Sequence, residues 1–182
     1  TYAGHLSSLE TILNHPRHTF IQADINDSCL LDKLFKQHQP CGIIHLAAES
    51  HVDNAILSPS AFIETNIMGT FSLLQASLNY WQRLPEKKQS TFRFHHVSTD
   101  EVYGNLAEND TPFRENSPYR PQNPYAASKA SSDHLVNSWH NTYAIPIIIT
   151  HSSNNYGPHQ LPEKLIPKLI TNDIQGQSLT IY

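Results

Sequence analysis

Tyr125 and Lys129 lie four residues apart in the run Tyr-Ala-Ala-Ser-Lys, a spacing that places both side chains on one face of a helix. An ammonium group beside a phenol favours the phenolate, so we expect the pKa of Tyr125 to fall below its usual value of about 10. Such a tyrosine takes a proton from an alcohol while a hydride leaves the same carbon. The same spacing also occurs on ordinary helix surfaces, so the pair needs support from its surroundings.

A second set of reactive side chains, Thr99, Asp100 and Glu101, directly follows a predicted strand. Adjacent carboxylates repel each other, and two carboxyl groups in different environments can divide the work of an acid and a base. The acidic pair is also compatible with a solvated turn in which Asp100 acts as a cap. Thr99 is equally compatible with a hydroxyl that merely ends a strand.

Composition excludes several classes of protein. The chain has 182 residues and a net charge of −4, so nothing in its charge indicates a surface for nucleic acid or membranes. It contains no apolar run of the roughly 20 residues that a membrane span requires and no signal-peptide pattern. Cys29 and Cys41 lack metal-site spacing and predict a reducing, cytoplasmic setting with no bound metal. A start at Thr1 without methionine and an end at Tyr182 predict a piece of a longer protein.

Hydrophobic patterns predict alternating strands and helices. The predicted strands are 18–23, 42–48, 91–98 and 145–150, and the predicted helices are 27–38, 60–82, 124–143 and 161–173. This alternation favours an α/β fold with a parallel sheet and right-handed crossovers. Ligands bind at the carboxyl ends of such strands. Asp24 and the segments 47–50, 98–101 and 152–155 fall there.

The glycines limit what the chain can bind. They stand at positions 4, 42, 69, 104, 157 and 176, so no two are close enough for a Gly-x-Gly-x-x-Gly loop. If a dinucleotide binds, its pyrophosphate is held by residues outside this sequence.

Several motifs occur together in a fixed order and resemble one enzyme family. They are Leu-Ala-Ala-Glu-Ser-His-Val-Asp at 46–53, Phe-Ile-Glu-Thr-Asn at 62–66, Ser-Thr-Asp-Glu-Val-Tyr-Gly at 98–104, Pro-Tyr-Ala-Ala-Ser-Lys at 124–129, Ser-Asn-Asn-Tyr-Gly-Pro at 153–158 and Pro-Glu-Lys-Leu-Ile-Pro at 162–167. The set resembles the dTDP-glucose 4,6-dehydratase family of the extended short-chain dehydrogenase/reductase superfamily. The resemblance implies a partial Rossmann-type, doubly wound parallel sheet.

The resemblance also implies a reaction on a nucleotide-activated hexose with bound NAD. Tyr125 would act as base on the sugar 4-hydroxyl, and Lys129 would lower its pKa and bind the nicotinamide ribose. Glu101 would remove the C5 proton, and a protonated Asp100 would donate to the departing 6-hydroxyl. Thr99 would hydrogen-bond the 4-oxygen. The product would be a 4-keto-6-deoxy sugar, with NAD regenerated in each turnover.

The binding residues implied by the family fall into two sets. The cofactor set, besides Tyr125 and Lys129, is Thr1, Asp24, Ile25, Leu46, Ala47, Ala48, Ser50, Thr65 and Asn155. The substrate set is Ser50, Thr99, Asn154, Lys164, Leu165, Thr180, Ile181 and Tyr182. Residues 1–160 would form an incomplete NAD-binding domain with the catalytic residues, and 161–182 would begin the nucleotide-sugar part. The two long helices would form a homodimer interface.

Two other interpretations remain open. A 4-epimerase-like relative would share the Tyr125–Lys129 pair, but the adjacent carboxylates argue against it. The absent phosphate loop would suit a non-catalytic binding module built on the same fold.

Overall fold

The computed structural model describes residues 4–178, which divide into two compact units. The larger unit comprises residues 23–153, and the smaller one combines residues 4–22 with 154–178. The strands are β1 (Ile43–His45), β2 (Phe94–Thr99) and β3 (Ile147–Ser152). The helices are α1 (Ser28–His38), α2 (Val52–Leu57), α3 (Pro59–Phe62), α4 (Gly69–Trp81), α5 (Glu86–Thr91), α6 (Pro124–Tyr143) and α7 (Leu165–Ile174).

The three strands of the larger unit form one parallel sheet in the order β1-β2-β3. Phe94 pairs with Ile43 on one side and with Ile147 on the other, which sets the register. Parallel neighbours need crossover connections, and the helices between the strands supply them. The predicted α/β class with a parallel sheet is therefore confirmed.

Capping side chains mark the starts of helices α1 and α6, which the sequence predicted correctly. The Asp27 carboxylate accepts a hydrogen bond from Leu30 N at the start of α1, and the Asn123 amide oxygen accepts one from Ala126 N at the start of α6. Pro124 occupies the first turn of α6, where its missing N–H costs nothing. The predicted bounds of α6 are confirmed.

The predicted helix over residues 60–82 is confirmed, with one feature that the sequence did not reveal. Residues Ile63–Met68, between α3 and α4, form a π-helical turn. Such wider turns are rare and occur often at functional sites. The buried Asn66 lies within this turn.

The hydrophobic core of the larger unit lies between one face of the sheet and the helices α1, α4 and α6. Its fully buried members include Leu74, Phe92, Phe94, Val136 and Ile145. On the other face of the sheet, Ile44, His95 and Ile148 stand side by side in register, and the Ile44 side chain is 67% exposed.

The prediction of a strand over residues 18–23 is wrong. The segment is irregular and pairs with no strand among residues 4–178. A strand is held by its ladder of hydrogen bonds to a neighbour, and an apolar run cannot show whether that neighbour exists. The predicted strand over residues 42–48 is also shorter in the structure, and helices α2 and α5 were not predicted.

The smaller unit contains a short 3₁₀ turn over Leu6–Leu9 and helix α7. Helix α7 begins four residues later than the sequence predicted, after a turn in which Lys164 N donates to Leu161 O. None of the helices in residues 4–178 combines the length and the hydrophobicity needed to cross a membrane.

Candidate active site

The carboxyl end of β2 presents the three residues of the Thr-Asp-Glu run. Thr99 is buried, and its Oγ1 accepts a hydrogen bond from Glu101 N at 3.3 Å, which caps the 3₁₀ turn Asp100–Tyr103. The same hydroxyl lies 3.4 Å from Asp100 Oδ1. Both carboxylates are half-buried. The turn therefore places Asp100 and Glu101 next to each other, directly after the last residue of β2.

Asn123 connects this turn to the helix that carries the predicted catalytic pair. Its Nδ2 donates to Glu101 Oε2 at 3.2 Å, while its Oδ1 caps α6 by accepting from Ala126 N at 2.8 Å. Tyr125 is the second residue of α6. One amide side chain thus brings Glu101 and Tyr125, 24 positions apart in sequence, to the same site.

The phenol of Tyr125 is half-buried and packs edge-on against the Phe62 ring, with centroids 6.4 Å apart. Burial, and then the negative charge of Glu101, raise the pKa of Tyr125 to about 12, although a hydrogen bond with Thr99 acts against this rise. The expectation that Lys129 lowers this pKa is therefore wrong for this structure. Desolvation and a nearby carboxylate both favour the neutral phenol, and the charge of Lys129 is not among the causes that set this pKa.

Lys129 is 4% exposed, and its Nζ donates to Val97 O on β2 at 2.8 Å. Burial lowers the pKa of this lysine to about 8, and the charge of Asp133 opposes the change. A lysine with this pKa exchanges its proton near neutral pH, so its charge is sensitive to the groups around it.

Asp133, which the sequence analysis missed, is the centre of a buried polar network. Its Oδ2 accepts hydrogen bonds from Ser98 Oγ at 2.9 Å, Tyr119 OH at 3.0 Å and His151 Nε2 at 3.0 Å. Its Oδ1 lies 3.2 Å from His96 Nε2. Burial by itself would raise the pKa of Asp133, but the hydrogen bonds from His151 and Ser98 and the nearby His96 ring hold it well below its usual range.

A sequence signal for Asp133 did exist. It follows Tyr125 and Lys129 at spacings of eight and four residues, so the three side chains share a helix face. An acidic residue on a face that packs against a sheet needs partners, because a buried charge without them is costly.

The segment after β1, predicted to line a cofactor, is held by Asn66. The Asn66 side chain accepts from Glu49 N at 2.8 Å and donates to Glu49 O at 3.0 Å and to Ser128 Oγ at 2.8 Å. Ser128 lies on α6 between Tyr125 and Lys129. Of the predicted residues here, Leu46, Ala47 and Ser50 are exposed and Ala48 is half-buried.

The remaining cofactor candidates of the larger unit lie on two other segments. Asp24 is exposed, and its Oδ1 accepts from Asn26 N at 2.8 Å within a turn. Ile25 packs over Gly69, where an added Cβ would collide with its side chain. Thr65 is half-buried in the π-helical turn.

The other predicted binding residues belong to the smaller unit or fall outside the description. Asn154, Asn155 and Leu165 are exposed and Lys164 is half-buried. Asn155 O accepts from Gln160 Nε2 at 2.9 Å, and Lys164 is the N-cap residue of α7. Thr1, Thr180, Ile181 and Tyr182 lie outside the described residues.

A cleft of about 650 Å³ opens in the larger unit beside Asp100. Tyr103, Phe113, Arg114 and His151 line part of it. Asp100 is a candidate catalytic residue that lines this cleft. Within residues 4–178, no cluster of three His, Cys, Asp or Glu side chains could hold a metal ion.

Comparison with known proteins shows which proteins this chain is similar to. The chain is 54% identical to dTDP-glucose 4,6-dehydratase of Neisseria meningitidis serogroup B over 182 residues, which is 100% of this chain and 51% of that protein. The chain therefore spans about half the length of the curated relatives that it matches.

Two solved structures give the same result for the fold. DesIV, a dTDP-glucose 4,6-dehydratase from Streptomyces venezuelae with NAD and TYD bound, matches with a TM-score of 0.88 and 43% identity, covering 98% of this chain and 52% of that one. The dTDP-glucose 4,6-dehydratase of Bacillus anthracis in complex with NAD matches with a TM-score of 0.86 and 37% identity, over 100% of this chain and 53% of that one. A sequence model described as GDP-mannose 4,6 dehydratase matches residues 1–182. The chain belongs to the GDP-mannose 4,6 dehydratase family, and its likeness within that family is to the dTDP-glucose 4,6-dehydratases.

Proposed function

We propose that this chain carries the catalytic residues of an NAD-dependent dTDP-glucose 4,6-dehydratase, which converts dTDP-glucose to its 4-keto-6-deoxy product with loss of water. One observation carries the proposal: Asn123 joins Glu101, at the end of β2, to the start of the helix that bears Tyr125 and Lys129. The high identity to dehydratases of this name supports the choice of substrate.

The residues fit a nicotinamide cofactor at one end of the site. An ammonium group has three N–H donors, and within residues 4–178 the Lys129 ammonium has Val97 O as its acceptor, so donors remain for ribose hydroxyls. Leu46, which is 66% exposed, offers apolar surface at the carboxyl end of β1. The sequence contains no glycine-rich loop for a pyrophosphate, because its six glycines are far apart.

When bound, NAD would accept a hydride from C4 and later return it, and its oxidised form would add a positive charge to the site. Tyr125 takes the proton of the sugar 4-hydroxyl as C4 becomes a ketone, and Thr99 donates a hydrogen bond to the 4-oxygen. With a pKa of about 12 in this structure, the tyrosine needs that positive charge to act as a base near neutral pH.

The two carboxyl groups then perform the elimination. The 4-ketone acidifies the C5 proton, which Glu101 removes. Asp100, in its protonated form, donates a proton to the 6-hydroxyl, which leaves as water. The resulting double bond between C5 and C6 would accept at C6 the hydride removed from C4, and at C5 a proton from Glu101, to give the 4-keto-6-deoxy sugar.

The remaining parts of the proposal rest on the family resemblance. They are cofactor contacts from Asp24, Ile25, Ala47, Ala48, Ser50, Thr65 and Asn155, substrate contacts from Ser50, Asn154, Lys164 and Leu165, and a domain boundary at residue 160. A homodimer through α4 and α6 is supported by exposed aromatic surface, since Phe71 on α4 meets Trp139 of α6 edge to face and is 37% exposed, and Tyr143 is 43% exposed. We infer a cytoplasmic location from the free, exposed thiols of Cys29 and Cys41.

The test is a pair of variants in the gene product that contains these 182 residues. Wild-type protein should convert dTDP-glucose to a product lighter by one water molecule. Glu101→Gln should still reduce NAD with the substrate but lose the exchange of the C5 proton with deuterated solvent. Tyr125→Phe should block both, because oxidation at C4 comes first.

The control is Glu108→Gln, an exposed carboxylate of the loop between β2 and α6, which should retain wild-type turnover. Conversion of the substrate to an isomer of equal mass would instead assign an epimerase. If the Glu101→Gln protein still exchanged the C5 proton at the wild-type rate, its assigned role would be wrong.

A further inference from the structure

Lys129 and Asp133 on α6 each form a hydrogen bond with β2, and the two bonds go to consecutive residues of that strand. Lys129 Nζ donates to Val97 O, and Asp133 Oδ2 accepts from Ser98 Oγ. The next residue of the strand is Thr99, where the acidic turn begins. These two side chains therefore set the position of α6, and of Tyr125 upon it, relative to the acidic turn.

Asp133 also forms hydrogen bonds with elements other than β2. His151 Nε2 connects it to β3, and Tyr119 OH connects it to the loop that precedes α6. The Asp133 side chain is 0% exposed. A fully buried carboxylate with several donors is costly to disturb, so the elements around it are held in one arrangement.

The titratable groups around Lys129 come from three elements. On α6, Asp133 is four residues away and favours the ammonium form. On β1 and β2, His45 and His96 are buried and their pKa values are lowered, so both are neutral at pH 7. Lys129 makes no ion pair with a carboxylate in residues 4–178, and the buried carboxylate whose charge acts on it is that of Asp133, four residues away on α6.

We propose that Asp133 is a positioning residue of this site, which fixes α6 on the end of β2 and supplies the buried negative charge that faces the Lys129 ammonium. Its side chain is fully buried among protein groups, so in this proposal it acts through Lys129 and Tyr125. Its effect on turnover rests on the function proposed above, whereas its effect on the Lys129 proton does not.

Asp133→Asn tests the proposal, because the amide keeps the shape and one acceptor oxygen but removes the charge. The first measurement follows the proton of Lys129 by NMR in protein with labelled lysine, using Lys129→Arg to assign the signal. We expect Lys129 to lose its proton at a pH lower by about one unit in Asp133→Asn. The second measurement is kcat against pH, whose alkaline limit should move by the same amount and lower kcat at pH 8 about fivefold.

Ser98→Ala is the matched control, since it removes a hydrogen bond from the same carboxylate and leaves the charge. It should keep the wild-type Lys129 titration, and Asp133→Glu should restore most of it. An unchanged Lys129 titration in a folded Asp133→Asn protein would overturn the proposal. So would an equal shift in Ser98→Ala, because the effect would then come from the hydrogen bonds.

If Asp133→Asn does not fold, the double variant Lys129→Met/Asp133→Asn decides the question. Recovery of folding on removal of both charges supports a coupled pair, and continued unfolding assigns Asp133 to the hydrogen-bond network alone and overturns the proposal. Failure of the wild-type gene product to dehydrate dTDP-glucose would reject the proposed function only, since the Lys129 titration is read without substrate.

Discussion

The buried His45 side chain should make the larger unit less stable as the pH falls. Replacing His45 with glutamine should remove this part of the pH dependence. Its side chain is 3% exposed, and its Nε2 lies 2.9 Å from Thr70 Oγ1. The Thr70 hydroxyl donates its single proton to Asn66 O, so it must accept from His45 Nε2–H. Nδ1 is then the unprotonated nitrogen, and it has no hydrogen-bond partner among residues 4–178.

Protonation at Nδ1 would place a positive charge in the interior without an acceptor. Burial, with added repulsion from His96 and Lys129, accordingly lowers the pKa of His45 from 6.5 to about 3. Between these two pH values the unfolded chain binds more protons than the folded one. The contribution of neutral His45 to stability is therefore complete above pH 6.5 and is lost as the pH falls toward 3. At pH 5 the loss relative to pH 8 is about 2 kcal/mol, since each pKa unit corresponds to about 1.4 kcal/mol.

The assay is urea unfolding of wild type and His45→Gln at several pH values between 8 and 5. Glutamine retains a donor for Thr70 but cannot gain a proton, so the free energy of unfolding should fall by about 2 kcal/mol less over this range. Thr70→Val is the matched control, because it removes the hydrogen bond and keeps the imidazole. It should lower stability while retaining the wild-type pH dependence. The reasoning fails if His45→Gln loses as much stability on acidification as wild type.

Two further predictions concern the backbone and the assembly. Gly104 has φ +94°, and an added Cβ would lie 2.6 Å from Arg120 O. Gly104→Ala should therefore lower the free energy of unfolding in urea by about 1–3 kcal/mol. Gly157→Ala is the control, because a Cβ there has no atom within 4 Å and should leave stability unchanged. Phe71→Glu should convert the proposed homodimer to a monomer in sedimentation experiments while leaving the monomer folded, and a wild-type monomer would refute the proposed interface.

Prediction from sequence succeeded where the controlling interactions are local. Asn123 and Pro124 carry the start signals of α6 within a few residues, and Asp27 does the same for α1. It failed for residues 18–23, because an extended segment becomes a strand only beside a partner that the local sequence does not specify. The π-helical turn around Asn66 was also missed, since its side-chain contacts reach Glu49 and Ser128 in distant parts of the chain.

The sequence by itself determined which reactive groups the protein has and how they are spaced: the acidic pair after a strand, and Tyr125 and Lys129 on one helix face. The tertiary structure decided how those groups ionise. Burial and the charge of Glu101 raise the pKa of Tyr125, and burial lowers the pKa of Lys129. Spacing along a helix follows from covalent geometry, but the loss of water and the approach of distant charges depend on which elements pack together.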